Sequence, residues 1–227
     1  MNKNLLFIFL LFISTSAFSQ LDGNYNYSIG IKAFNIGQLP KILNQSNTDD
    51  YTQTWFNGGI IRFNDNQMSF RLSGHYLFKR DLKFSNQCDN CESANGNLTD
   101  YAIKIGFEKN FNYSIIQPYF AVDLGFRANS FHGEITSTNT LNTNATYSAI
   151  TNKNGATLSP VLGFKINVLK QLSIFAESSI DFYYAYERQE TILRDAANTR
   201  TFAKYNKLES LLNPVSIGIQ IHLIGKN

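Results

Sequence analysis

The stretch MSFRLSGHYLFK, residues 68–79, separates into two faces when every second residue is taken. Met68, Phe70, Leu72, Gly74, Tyr76 and Phe78 form one face, and Ser69, Arg71, Ser73, His75, Leu77 and Lys79 form the other. A repeat of two marks a β-strand lying between unlike environments. One environment is apolar, and the other must accept an arginine, a histidine and a lysine. A soluble barrel would turn the apolar face inward and a membrane barrel would turn it outward, so the rest of the chain has to decide.

Seven more segments alternate in the same way: Tyr25–Ala33, Thr54–Phe63, Tyr101–Lys109, Gln117–Ala128, Leu158–Val168, Leu172–Tyr186 and Val215–Leu223. Thr54–Phe63 is the least regular, because Phe56 and Ile60 fall on its polar side. The connections alternate too. Long ones are expected over Phe34–Gln53, Arg80–Asp100, Asn129–Thr157 and Glu187–Pro214, and short ones around Asn64–Asn66, Asn110–Ser114 and Leu169–Gln171. In an up-and-down barrel this puts every long connection at one end. Outer-membrane barrels have short periplasmic turns, long extracellular loops and an even strand count.

Glycine selects the orientation. Gly30, Gly58, Gly106, Gly125, Gly163 and Gly218 lie on the polar faces. Glycine weakens a strand and has no use on an ordinary solvated face, but it makes room where side chains crowd. The lumen of an eight-stranded barrel is just wide enough to be filled by side chains. The apolar faces are too numerous and too aromatic to fit there, so they face lipid. Trp55, Tyr76, Phe78, Tyr101, Tyr184 and Tyr186 near the long-connection ends suit an interfacial girdle. The expected fold is therefore all-β: an eight-stranded antiparallel up-and-down transmembrane β-barrel with short periplasmic turns and long extracellular loops. Arg71, His75 and Lys79 are expected to point into it.

The N-terminus has a different composition. MNKNLLFIFLLFISTSAFSQ carries one lysine, an apolar run from Leu5 to Ile13, and Ala17 and Ser19 placed three and one residues before a cleavage point. Residues 1–19 read as a secretory signal peptide and residues 20–227 as one barrel domain. The formal net charge of +3 falls to +2 without Lys3, which gives no sign of nucleic-acid binding.

The segments IGFEKNF (105–111), QPYFAVDLGF (117–126) and LSPVLGFKINVLKQLSIFAESSIDFYY (158–184) resemble the OmpA/OmpX-like outer-membrane β-barrel family of Gram-negative bacteria. The resemblance rests on Gly-Phe strands and on an inward glutamate in the penultimate strand, here Glu177. It implies an outer-membrane location, contact with outer-membrane lipid, assembly by the barrel-insertion machinery and an extracellular partner reached through the long loops. The chain ends IHLIGKN, with Leu223 at the last apolar site where such barrels often place an aromatic.

No metalloprotease, P-loop or nucleophile-elbow motif is present, so no catalytic residue, cofactor or metal ligand is assigned. Cys88 and Cys91 form a CxxC in a long connection, where export favours a local disulfide over a metal site. The charged constellation lies on the polar faces: Arg62, Arg71, Lys79, Lys104, Arg127 and Lys165 against Glu108, Asp123, Glu177 and Asp181. Isolated charges in a narrow lumen are costly, so these are expected to pair into a plug around Glu177, with Lys165 and Gln220 from the flanking strands and Arg71 from the opposite wall. The function expected is structural, or surface interaction. A narrow pore is the first alternative and a lipid-modifying enzyme the second.

Overall fold

A computed structural model describes residues 26–42, 51–65, 67–85, 92–112, 114–137, 145–193 and 199–223. The expected signal peptide and the Cys88–Cys91 pair lie outside these residues. Eight strands follow in order: β1 (Tyr27–Gln38), β2 (Tyr51–Asp65), β3 (Met68–Ser85), β4 (Glu92–Asn110), β5 (Ile116–Ser137), β6 (Ala145–Leu169), β7 (Leu172–Leu193) and β8 (Arg200–Leu223). Each pairs antiparallel with its sequence neighbours, and β1 pairs with β8 to close the ring.

The opening stretch lies as its alternation requires. Met68, Phe70, Leu72, Tyr76 and Phe78 face outward and are exposed, while Ser69, Arg71 and Ser73 are buried in the lumen. The same division runs round the wall, giving an apolar exterior over a charged interior. That is a soluble protein turned inside out, and it identifies the belt as the face that meets lipid. Near the short-turn end, Tyr27, Phe63, Phe70 and Phe107 stand side by side across β1 to β4, with centroids 5.5, 6.5 and 5.1 Å apart.

The long connections are corrected by the structure. Most of Arg80–Asp100, Asn129–Thr157 and Glu187–Pro214 is strand: β3 and β4 pair out to Ser85↔Ser93, β5 and β6 to Ser137↔Ala145, and β7 and β8 to Ile192↔Arg200. The strands continue beyond the lipid belt as a collar. The physical reason is visible along β5. Its outward residues run Pro118, Phe120, Val122, Leu124, Phe126, then Ala128, Ser130, His132, Glu134. Its inward residues run Asp123, Gly125, Arg127, Asn129, then Phe131, Gly133, Ile135. Both faces change polarity at the same level, so strand period two persists while its sign reverses. In β4 the outward face likewise passes from Tyr101 to Thr99, Asn97 and Asn95. Inside the collar, Leu98, Phe131, Ile135, Ala94 and Ala149 form a small buried core of their own, and Ile42 packs into it.

The collar does not go all the way round. Among the described residues, β2 meets β3 only from Gly58 to Asp65, and β1 meets β8 only as far as Ile36↔Val215. Above those points β3 to β8 continue as one curved sheet, and the chain after β1 turns inward. Gln38 accepts a hydrogen bond from the Leu212 amide (2.7 Å), and the Lys41 amide donates to Glu209 (3.0 Å).

Local exceptions have local causes. The β1–β2 ladder skips between Lys32 and Phe34, and Phe56 takes a positive φ of 48°. This bulge returns Phe56 to the outside, where it is exposed, whereas Ile60 stays in the lumen and is buried. Lys79 is corrected: it is exposed rather than enclosed, because it lies above the last β2–β3 pair and just before the β3 irregularity at Asp81.

Candidate functional site

The lumen is filled by charge in two storeys. The lower storey is a closed ring of four groups from four strands: Arg62 on β2, Arg71 on β3, Glu108 on β4 and Glu177 on β7. Arg62 donates to Glu108 (2.8 Å) and to Glu177 (3.0 Å). Arg71 donates to the same two carboxylates, at 3.2 Å to each. All four side chains are almost wholly buried. β2, β3 and β4 are neighbours in the wall, whereas β7 stands across the lumen, so only a narrow closed lumen brings Glu177 to the other three. Opposite charges at this spacing offset the cost of removing each ion from water.

Around the ring, further side chains add donors and acceptors. Tyr119 donates to Glu177 (2.8 Å), Arg62 also donates to Gln220, and Lys165 donates to Glu108 and to Asn110. Asp123 lies 3.1 Å from the Arg71 Nε. The Arg62 guanidinium also stacks 4.9 Å from the Phe175 ring. The expected flanking contacts are redistributed: Lys165 serves Glu108 and Gln220 serves Arg62, while Lys32, on β1, approaches Glu177 at 3.6 Å.

The upper storey lies nearer the collar. Arg127 grips Asp100 through two donors, each at 2.9 Å, and approaches Asp181 at 3.5 Å. Lys104 donates to Asp181 (2.7 Å) and Ser159 (2.9 Å), and His75 lies 3.1 Å from Asp100. A polar cavity of about 60 Å³ adjoins both storeys, bordered by Lys32, Asn35, Thr54, His75, Lys104 and Glu177. At the opposite end of the lumen, His222 sits between the hydroxyls of Ser28 (2.9 Å) and Ser173 (2.5 Å).

Of the ten charged residues singled out from the sequence, nine line this lumen and Lys79 does not. Arg62, Arg71, Glu108, Asp123, Lys165 and Glu177 gather in the lower storey, and Lys104, Arg127 and Asp181 in the upper. Asp100 was missed because it was assigned to a connection. Two residues of alternation beyond Ala102 would have placed it on the inward face. Lys32 was on a polar face and could have been included on that ground. A further cluster inside the collar was also missed: Lys153 donates to Glu209 (2.6 Å) and to the Lys41 carbonyl (2.7 Å), and Glu187 bridges Lys153 (3.2 Å) and Lys207 (2.9 Å). Its residues fall in segments whose Asn, Thr and Lys content reads as loop.

No family model and no curated protein matches this chain. Among solved structures, it is similar to Ail, the attachment invasion locus protein of Yersinia pestis, at 11% identity and a TM-score of 0.45, over 88% of this chain and 99% of that one. It is also similar to a major outer membrane protein from Thermus thermophilus, at 10% identity and a TM-score of 0.48, over 87% of this chain and 99% of that one.

Proposed function

We propose that the chain is an outer-membrane barrel of structural and surface-interaction type, closed to ions by its lumen network and raised above the membrane by its collar. The observation that supports this most is the Arg62–Glu108–Arg71–Glu177 ring. Four buried side chains from four strands occupy the lumen, with Tyr119, Lys165 and Gln220 filling the space between them. A conducting lumen needs a continuous water path, and this arrangement leaves an ion nothing to follow without breaking paired charges. The collar is the part available to an extracellular partner, and the apolar belt is the part that takes up outer-membrane lipid. Assembly through the barrel-insertion machinery belongs to the same reading.

Planar-bilayer recording from the purified, folded chain tests it. The expected record shows no unitary steps. Regular steps from the unmodified protein would replace this reading with a pore. A parallel assay of phospholipid and lipid A hydrolysis tests the catalytic alternative, with no turnover expected.

A further inference from the structure

On the outward face of β7, Ile180, Phe182, Tyr184 and Tyr186 are followed directly by Arg188. On β8, Leu208 and Asn206 are followed by Lys204. Arg188 and Lys204 are register partners, so two exposed cations stand directly opposite each other across the ladder. Like charges in that position are destabilising. Among the described residues neither forms an ion pair; Arg188 instead lies over the Phe202 ring at 5.6 Å. Arg200, which also lies over Phe202, does have a carboxylate, Glu190 at 3.0 Å.

The same register row continues from Arg188 to Asn152, Ser130 and Thr99 on β6, β5 and β4. Here the outer wall carries a groove of about 290 Å³ bordered by Thr99, Tyr101, Ala128, Ser130, Asn152 and Asn154. Ser130 donates to the side-chain Oδ1 of Asn152 (2.8 Å), which leaves the Asn152 side-chain NH₂ as a donor. Small hydroxyls and amides beside a tyrosine suit the hydroxyl and amide groups of a sugar.

We propose that this face binds the headgroup of a phosphorylated glycolipid of the outer leaflet, with a phosphate between Arg188 and Lys204 and the sugar in the Asn152–Ser130 groove. This rests on the outer-membrane reading above. An arginine presents a fork that matches phosphate, a lysine adds a point charge, and an anion between them removes their repulsion. The position favours lipid over a free ion, because Arg188 stands two residues above Tyr186 on β7 and Lys204, its register partner, stands four above Leu208 on β8, both just beyond the belt.

The test titrates three probes into the full chain folded in zwitterionic detergent: a bisphosphorylated diglucosamine lipid, the same lipid stripped of phosphate, and inorganic phosphate. The readout is the heat of binding in every variant, with the side-chain NMR signal of Arg188 locating the phosphate in wild type. Wild type is expected to bind the phosphorylated lipid and to lose most of that affinity when the phosphates are removed. At about fivefold per cation, Arg188→Gln with Lys204→Gln should weaken binding about 25-fold. Asn152→Leu should weaken the lipid severalfold and leave inorganic phosphate unaffected. Both glutamines relieve repulsion at exposed positions, so folding is retained, and gel mobility of the folded form checks it. Equal affinity in the double variant, or equal affinity for inorganic phosphate and lipid, would overturn the proposal. A chain that gives no folded form in detergent or lipid would fail the outer-membrane reading instead.

Discussion

Glu177 sets both its oxygens against guanidinium groups and also accepts from Tyr119, so its charge is satisfied from three strands at once. Glu177→Gln keeps the shape and removes the charge, leaving Arg62 and Arg71 to share Glu108 and Asp123. Breaking a buried pair from one side costs ~3–5 kcal/mol, less where water reaches it. The urea midpoint of the refolded barrel in lipid should fall accordingly, and bilayer recordings should stay closed because no side-chain volume has been lost. Stability equal to wild type would show that the ring does not hold the lumen. Gly163 tests the packing of the same ring without touching a charge. A Cβ there would stand 2.5 Å from the Tyr119 ring, so Gly163→Ala must push Tyr119 away from Glu177. Overpacking of this kind costs ~1–3 kcal/mol, measurable as the same midpoint shift. Charge and inward direction were legible for these residues from alternation alone. Partnership was not, because which residues meet across a lumen depends on the stagger of the strands around the ring. That stagger carried Lys165 to Glu108 and left the approach to Glu177 from β1 to Lys32.

β5 holds the information that decides how high the barrel stands in the bilayer. Its outward side chains are apolar to Phe126 and polar from Ser130, and its inward ones reverse over the same residues. Arginine on the lipid face costs ~2–4 kcal/mol at the midplane and about 0–1 near the interface. Leu124→Arg is therefore expected to destabilise the barrel by the larger amount and Ser130→Arg by almost nothing, although both side chains leave the same face of the same strand. Equal penalties from folding titrations in lipid would mean that the polarity switch does not mark the membrane boundary. The reversal also explains what the sequence concealed. Period two was legible wherever the outward residues are large and apolar. Above the switch the outward residues are Ser, Thr, Asn and His, types that favour turns or carry weak strand preference. The inward Phe131 and Ile135 then look like isolated apolar residues in a loop. The β2 irregularity at Phe56 and Ile60 was legible as a break in pattern, but its resolution into a bulge at one residue and a genuine inward isoleucine at the other needed the register.

At the scale of the whole molecule the wall is uneven. Among the described residues, β5 and β6 stay paired from Ile116↔Ile166 to Ser137↔Ala145, whereas β2 joins β3 only between Gly58 and Asp65 and β1 joins β8 only between Tyr27 and Ile36. Eight strands, their order and the position of the short turns were all legible, because each depends on local alternation and turn residues. The incomplete collar was not, since nothing local marks where a strand stops having a neighbour. Its consequence is a division of the barrel into two cooperative units. β1 and β2 form a hairpin held to the rest along two short seams, while β3 to β8 form one continuous sheet. Native-state hydrogen exchange measures the free energy of such openings unit by unit. Amides of β1 and β2 should exchange together and ahead of those in the middle of β5 and β6. A disulfide across the Gly59↔Gly74 register pair, made as Gly59→Cys with Gly74→Cys, should slow that early class and leave the late one unchanged. The order in which this barrel comes apart is thus set by its shortest seams rather than by the charges at its centre.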